Sequence, residues 1–479
     1  MTSEPYPRDL VGYGRNPPHA RWPNDARIGV QFVINYEEGG ENNILHGDAA
    51  SEAFLSEIVG AQPWPGQRHM NMESIYEFGS RAGFWRLWRM FTSRKLPVTV
   101  FAIATAMARN PDAVAAMKEA NWEIATHGLK WIDYRDYTEE AERAHVEEAI
   151  RLHTECVGER PLGFYQGRTS EHSLQVAMQE QGFLYSADSY ADELPYWVEG
   201  PHGPQLIVPY TLDANDMRFA TPQGFNSGDQ FFAYLKDSFD TLYAEGVEQP
   251  RMMSVGLHCR LVGRPGRAAA LARFLDYVTS HDKVWVATRL EIARHWIRMH
   301  PPVGGYRPSR MPRALFVERF GDVFEHTSAI AERAHRAGLS AIDDSADGLH
   351  TTLMGVVRAM NRDEKLALIR AHPELAGREA AAGTLTGESS GEQGRLGFTA
   401  LSRAELDQVA DINRRYREKF AMPLILALAL HGDRASVIAE MERRISNDKE
   451  SEIATAIEQI GHIAKARLVR KFAVSSGDA

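Results

Sequence analysis

The chain has 479 residues, 44% of them hydrophobic and 25% charged, with a formal net charge of −10 and two cysteines, Cys156 and Cys259. That length exceeds one ordinary core and predicts more than one domain, at roughly 150 residues each. The acidic balance argues against a general nucleic-acid binder, and the cysteine count argues against a disulfide framework and suits a reducing, cytoplasmic compartment. The first residues carry no apolar core of the signal-peptide kind, and the longest apolar run, Leu424 to Leu430, is far below the ~20 residues that span a bilayer.

Residues 1–25 are rich in Pro, Gly and Arg and read as an arm. Ile28-Gly29-Val30-Gln31-Phe32-Val33-Ile34 is short, apolar and β-branched, which predicts a buried strand. Two adjacent carboxylates, Glu37 and Glu38, follow it and are stopped by Gly39-Gly40. A polar segment without periodicity reaches about Ser80 and reads as a functional loop or lid. The chain then alternates. Helices are expected at Arg81–Arg94, Pro111–Ala120, Thr138–Cys156, Ser173–Gln181, Asp229–Glu245, Arg267–Ser280 and Leu290–His300. Strands are expected at Val98–Ile103, Trp122–Ala125, Leu162–Tyr165, Leu184–Ala187, Met252–Leu257 and Val284–Ala287, with Gln205–Tyr210 extended. This alternation predicts an α/β barrel-like or doubly wound domain.

The polar residues in it fall at one kind of place. Glu37 and Glu38, His127, Arg168, Asp188 and His258 each come just past the C-terminal end of an expected strand, and in a β/α barrel those ends converge on one mouth. A single histidine there is more often a cap or a satisfied structural residue; their joint occurrence favours a site.

His300-Pro301-Pro302-Val303-Gly304-Gly305-Tyr306-Arg307-Pro308 reads as a linker. After it, helices are expected at Ala314–Phe324, Ser328–Ala337, Ser345–Met360, Arg362–Ala371, Ser402–Phe420, Arg434–Ser446 and Lys449–Val474. Only Pro423–Leu430 looks extended, and a polar loop spans Gly377–Phe398. The expected domains are therefore an α/β domain over 1–305 and an all-α domain over 312–479.

The segments Asn35-Tyr36-Glu37-Glu38-Gly39-Gly40-Glu41-Asn42, Ala125-Thr126-His127-Gly128-Leu129-Lys130-Trp131 and Gly163-Phe164-Tyr165-Gln166-Gly167-Arg168 are together similar to the polysaccharide deacetylase fold, in the form of its cofactor-independent allantoinase branch. The resemblance covers roughly residues 5–300. Metal-dependent deacetylases carry two aspartates at the first motif and His-x-x-x-His at the second; here the pair is Glu37-Glu38, and Trp131 holds the second histidine position. A catalytic zinc wants three protein ligands, and tryptophan cannot ligate one. The resemblance therefore implies a site with no metal and no cofactor, and a pocket in which Trp131 and Tyr165 meet a small planar hydantoin ring. Opening that ring needs a base, an oxyanion stabiliser and an acid. The assignments that follow are Glu37 as base, Glu38 orienting it or the substrate, and His258 as acid or oxyanion stabiliser. His127 would be a polar anchor, Arg168 a charge on a substrate carbonyl, and Asp188 the residue that orients Arg168 or His258. Cys259 neighbours His258 but faces away along a strand, so no Cys–His dyad is expected. The alternatives are a metal-dependent N-acetyl or amide hydrolase and a non-catalytic ligand-binding domain.

In the helical half, His372 taken alone reads as a helix C-terminal residue with Pro373 ending the helix, and Ser389 and Glu392, three apart, as a capping box. Yet Ala371-His372-Pro373-Glu374-Leu375-Ala376-Gly377 with Gly383-Thr384-Leu385-Thr386, flanked by Phe320-Gly321-Asp322-Val323 and Ala466-Arg467-Leu468, resembles 2-oxo-4-hydroxy-4-carboxy-5-ureidoimidazoline (OHCU) decarboxylase over roughly residues 312–474. The resemblance implies His372 as the catalytic histidine and Glu392 as its carboxylate partner. It places Pro373, Ser389 and Arg467 against substrate, with the backbone at Leu424 and Ile425 closing the pocket. Gly387 stands where the family usually has proline. The two resemblances together imply a bifunctional enzyme of urate breakdown acting on small ureides, self-associating, with neither nucleic acid nor membrane as partner.

Overall fold

The computed structural model describes residues 6–58, 60–376, 398 and 401–474. The chain divides into two compact units, Met1–His300 and Pro301–Ala479. In the first, nine strands form one sheet: β1 (Ile28–Tyr36), β2 (Thr99–Ala102), β3 (Glu123–Thr126), β4 (Gly163–Phe164), β5 (Tyr185–Ser186), β6 (Tyr196–Gly200), β7 (Gly203–Ile207), β8 (Arg251–His258) and β9 (Val284–Val286). The order is β6-β7-β5-β4-β3-β2-β1-β8, all parallel except the β6–β7 hairpin. β8 runs along β1 from Ile28 to Asn35, while β2 and β9 share its other edge, β2 at the C-terminal half and β9 at the start. Every residue of β1 is buried; a strand covered on both faces is mostly apolar, which is why this run, broken only by Gln31 and Asn35, is conspicuous in the sequence. The result is the barrel-like α/β architecture that the alternation predicts, unclosed between β6 and β8 among the described residues.

Register is what builds the mouth. Tyr36 pairs with Ala102, Ala102 with Thr126, Thr126 with Phe164 and Phe164 with Ser186, so the last residues of five strands are level. On the other side Asn35 pairs with His258. The residues that follow, Glu37, His127 and Tyr165, and His258 itself, therefore emerge at one height.

Two parts of the first unit differ from expectation. Residues before Ser80 are not all loop: Met70–Phe78 is helical and runs through a π-helical turn, Gly79–Gly83, into the helix Phe84–Ser93. Only Met72 and Tyr76 of that first helix are well buried, too few apolar positions to print a helical period. The π turn needs its glycines: a Cβ at Gly79 would collide with the Glu38 carboxylate, and one at Gly83 with the Cys259 carbonyl. The strand β6 carries no clear strand signal in the sequence, because its residues are half-exposed on a sheet edge.

The second unit contains the helices Arg313–Phe320, Ala329–Ala337, Ala346–Ala359, Arg362–Ala371, Arg403–Phe420, Arg434–Ile445 and Lys449–Val474. The apolar run from Pro423 is not a strand. It is irregular and ends in a 3₁₀ turn, Leu428–Leu430. Side chains rather than a neighbouring strand satisfy its backbone: Gln459 accepts from the Ala427 N–H at 2.9 Å, and Arg444 donates to the Ile425 carbonyl. No helix among the described residues is long and apolar enough to cross a membrane.

Candidate active sites

In the first unit the two carboxylates do different jobs. Glu37 Oε1 lies 3.3 Å from His127 Nε2 and 3.5 Å from His258 Nε2, between two imidazoles. Glu37 Oε2 lies 2.7 Å from a terminal nitrogen of Arg260. Glu38 turns inward instead: its carboxylate accepts from the backbone N–H of Glu37 at 3.2 Å and of Arg260 at 3.1 Å, and lies 3.6 Å from the Arg260 guanidinium. His258 is held from the far side by Asp216, whose carboxylate accepts from His258 Nδ1 at 2.6 Å and from the backbone of His258 and Val262 at 2.7 and 2.9 Å. With Nδ1–H committed to Asp216, Nε2 is the nitrogen that His258 presents to the site. Glu37, His127, His258, Arg260 and Asp216 are all buried.

The charges follow from this packing. Burial works against ionisation of Glu37, yet the Arg260 guanidinium, then His258 and His127, hold its carboxyl well below the usual carboxylate range. Burial dominates at Glu38 and pushes its carboxyl up. Burial opposes charge on His258 too, but Glu37 and Asp216 raise it to about 9. Near neutral pH the site therefore pairs an anionic Glu37 with a protonated His258, an acid poised beside a carboxylate.

Trp131 joins this floor to the segment above it. Its indole stacks on Phe54 with ring centres 5.7 Å apart, and the guanidinium carbons of Arg260 and Arg168 lie 5.1 and 5.3 Å from its ring centre. Arg168 is held by carboxylates: its guanidinium lies 3.9 Å from Glu52 and 3.8 Å from Asp133. Tyr165 is buried beside His127, ring centres 4.8 Å apart. Asp188 does not orient Arg168 or His258. Its carboxylate accepts the backbone N–H of Gln166 and Gly167, each at 2.7 Å, and so ties down the turn that carries Arg168. β5 ends at Ser186, so strand alternation no longer fixes where residue 188 points. Cys259 is fully buried, and burial pushes its thiol well up.

In the second unit His372 caps the helix Arg362–Ala371. Its ring is buried, and Nδ1 donates to the Leu368 carbonyl at 2.9 Å, which fixes the tautomer and leaves the lone pair on Nε2. The following turn, beginning at Pro373, is pinned by Asn413, which donates to the Leu375 carbonyl at 3.0 Å, and by the Glu374–Arg417 ion pair at 2.6 Å. Arg467 is buried and paired with Glu325 at 2.8 Å, close to the Asp322 carbonyl at 3.3 Å. Leu424 and Ile425 are buried. Ser389 and Glu392 lie outside the described residues.

Residues 73–181 match the polysaccharide deacetylase family and residues 309–469 the OHCU decarboxylase family. A provisionally named polysaccharide deacetylase of Schizosaccharomyces pombe is 41% identical over 314 residues, covering 61% of this chain and 98% of that protein. The crystal structure of PuuE allantoinase is 59% identical with a TM-score of 0.61, covering 62% of this chain and 98% of that one. The OHCU decarboxylase of Haloferax volcanii is 32% identical over 164 residues, covering 34% of this chain and 93% of that protein. The chain belongs to both families, one in each unit. In the deacetylase-family unit, the residues do not suit a resident metal. Among the described residues no group of three or more His, Cys, Asp and Glu is arranged to hold one. Moreover, the guanidinium of Arg260 already lies against both carboxylates, where a divalent cation would meet a like charge. Arg260, Asp216 and Tyr76, whose ring centre is 4.4 Å from the Arg260 guanidinium carbon, escaped the sequence reading. Arg260 lies in the turn that follows β8, beyond the reach of strand alternation.

Proposed function

We propose that this chain decarboxylates OHCU to (S)-allantoin in its second unit and hydrolyses the hydantoin ring of (S)-allantoin to allantoate in its first. The observation that carries the ring-opening half is Glu37 Oε1 set between two histidines, with Asp216 behind one of them. Glu37 takes a proton from water as the oxygen adds to the ring carbonyl. The oxyanion is met by N–H donors, each worth roughly 3 kcal/mol by analogy with oxyanion-hole deletions. His258 gives its Nε2 proton to the leaving nitrogen as the C–N bond breaks. Protonated Glu37 then returns a proton to His258 across their 3.5 Å gap, and the site is reset. In the second unit, loss of carbon dioxide leaves an enolate-like charge. His372 Nε2 is the group that handles the proton, and Arg467 suits an oxygen-rich planar anion. The substrates are small ureides, and the product of one unit is the substrate of the other. The setting that fits this chemistry is the cytoplasm.

Supplying OHCU to the purified full chain should yield allantoate, read by chromatography; accumulation of allantoin without allantoate would sink the first-unit assignment. Ring opening should survive exhaustive chelation. Loss of activity that zinc or cobalt restores would instead make Glu38 and His127 ligands.

The alkaline limb of the reaction belongs to His258. Its protonated form persists up to about pH 9 because Glu37 and Asp216 outweigh burial, so kcat/KM for allantoin should fall as the pH rises through that value. Asp216→Asn removes one of the two raising charges, and the limb should move to lower pH. A pH–rate profile of the variant with an unmoved alkaline limb would show that His258 is not the acid.

A further inference from the structure

We propose that Arg260 is a positioning residue of the ring-opening site, a built-in cation that holds Glu37 ionised and aimed, the task a bound metal ion would otherwise perform for such ligands. Its side chain is fully buried, and a guanidinium is costly to desolvate unless its charge and donors are matched. Here the charge is met by two carboxylates and the Nε donor by a carbonyl. One terminal nitrogen meets Glu37 Oε2 at 2.7 Å, the other lies 3.6 Å from Glu38 Oε1, and Nε donates to the Leu55 carbonyl at 3.2 Å. The aromatic rings of Tyr76 and Trp131 flank it, at 4.4 and 5.1 Å from the guanidinium carbon.

This arrangement accounts for three features at once. Two adjacent buried carboxylates repel each other, and the guanidinium is the charge that lets both stay in one place. Holding Oε2 of Glu37 leaves Oε1 turned toward His127 and His258, the only direction in which it serves the chemistry. And the position where the deacetylase pattern has its second histidine is filled by Trp131, whose flat face packs toward the cation instead of ligating a metal. A planar fork spans two carboxylates as an ammonium cannot, which explains arginine rather than lysine. The bond to the Leu55 carbonyl also ties the segment between Gly40 and Met70 to the strand end.

The catalytic consequence rests on the ring-opening assignment; the electrostatic one does not, and the two are read separately. In the full chain, Arg260→Gln should lower kcat/KM for allantoin about 10²–10³-fold at neutral pH, by analogy with the loss of one preorganised oxyanion-hole donor. It should also move the acidic limb upward by about 1–3 pH units, because Glu37 loses the cation that keeps it ionised. Infrared difference spectra against Glu37→Gln, taken across the acid range in the wild-type and Arg260→Gln backgrounds, should show Glu37 protonating at a higher pH in the second, by the same margin of about 1–3 pH units. A Glu37 that protonates at the same pH in both backgrounds, or an acidic limb that does not move, overturns the proposal. If the wild type opens no hydantoin ring, the functional assignment fails and the infrared result still decides Arg260. Should Arg260→Gln fail to fold, Arg260→Lys takes its place. It should keep the wild-type acidic limb but lose about tenfold or more in kcat with KM little changed; full wild-type turnover in that variant overturns the bridging role.

Discussion

Glu37→Gln should abolish ring opening, by about a thousand-fold or more, and leave OHCU decarboxylation intact. The amide is nearly isosteric, so the fold of the strand end is kept, but it can neither accept water's proton nor hand one to His258. A positioned base supplies roughly 10²–10⁴-fold. The substitution also strips the anion that His127, His258 and Arg260 all face, which places the loss toward the upper part of that range. It should destabilise the first unit as well. Removing one partner of a buried ion pair costs about 3–5 kcal/mol when the other charge is left alone. Here Glu38 still answers Arg260, so the cost should fall below that. The sign of its pH dependence is fixed. Because Glu37 is held below its ordinary value, its contribution to stability is present above that ordinary value and is lost as the pH falls through the lowered one. The variant should therefore differ most from the wild type in thermal unfolding near neutral pH and converge with it in acid. Allantoin turnover within tenfold of wild type would rule out Glu37 as the base.

What the sequence shows of this site is the part written in strand periodicity. β1 is legible because burial on both faces makes it mostly apolar, with only Gln31 and Asn35 polar among its nine residues. Glu37, His127 and His258 are legible because parallel register levels the strand ends, so that position just past a strand predicts convergence. Asp188 shows where that rule stops. β5 has two residues, and beyond it the carboxylate serves the backbone of a turn. Asp216 shows the converse: it lies after no strand, in the short 3₁₀ helix Asp216–Ala220. Asp213, close by, offers the same side chain, and only burial, which the letters do not carry, distinguishes the one that holds His258. The helix Met70–Phe78 hides for a related reason. It contributes Tyr76 to the cation's surroundings yet buries so few of its residues that no period emerges.

The second unit offers a different contrast, because its site is legible as a motif and not as a pattern. His372→Gln should cut OHCU decarboxylation by about 10²–10⁴-fold, the range of a positioned proton-transfer group, with ring opening of added allantoin unchanged. The structure gives the reason to expect a kinetic rather than a folding effect. His372 is a helix cap whose Nδ1 proton goes to the Leu368 carbonyl, and the amide N–H₂ of Gln can reach a nearby carbonyl as well. What Gln cannot supply is a basic nitrogen at the position of Nε2. The turn that follows is held independently, by Asn413 on the Leu375 carbonyl and by the Glu374–Arg417 pair, so the segment should keep its course. The Leu368 hydrogen bond that the substitution puts at stake is itself worth only about 1 kcal/mol, so the variant should still fold. Decarboxylation followed by loss of OHCU absorbance, beside allantoin hydrolysis on the same preparation, separates the outcomes. Loss of both activities would mean that the substitution unfolded the chain. Retention of decarboxylation would mean that His372 is the structural cap its position on the helix first suggests, and that the proton is handled elsewhere.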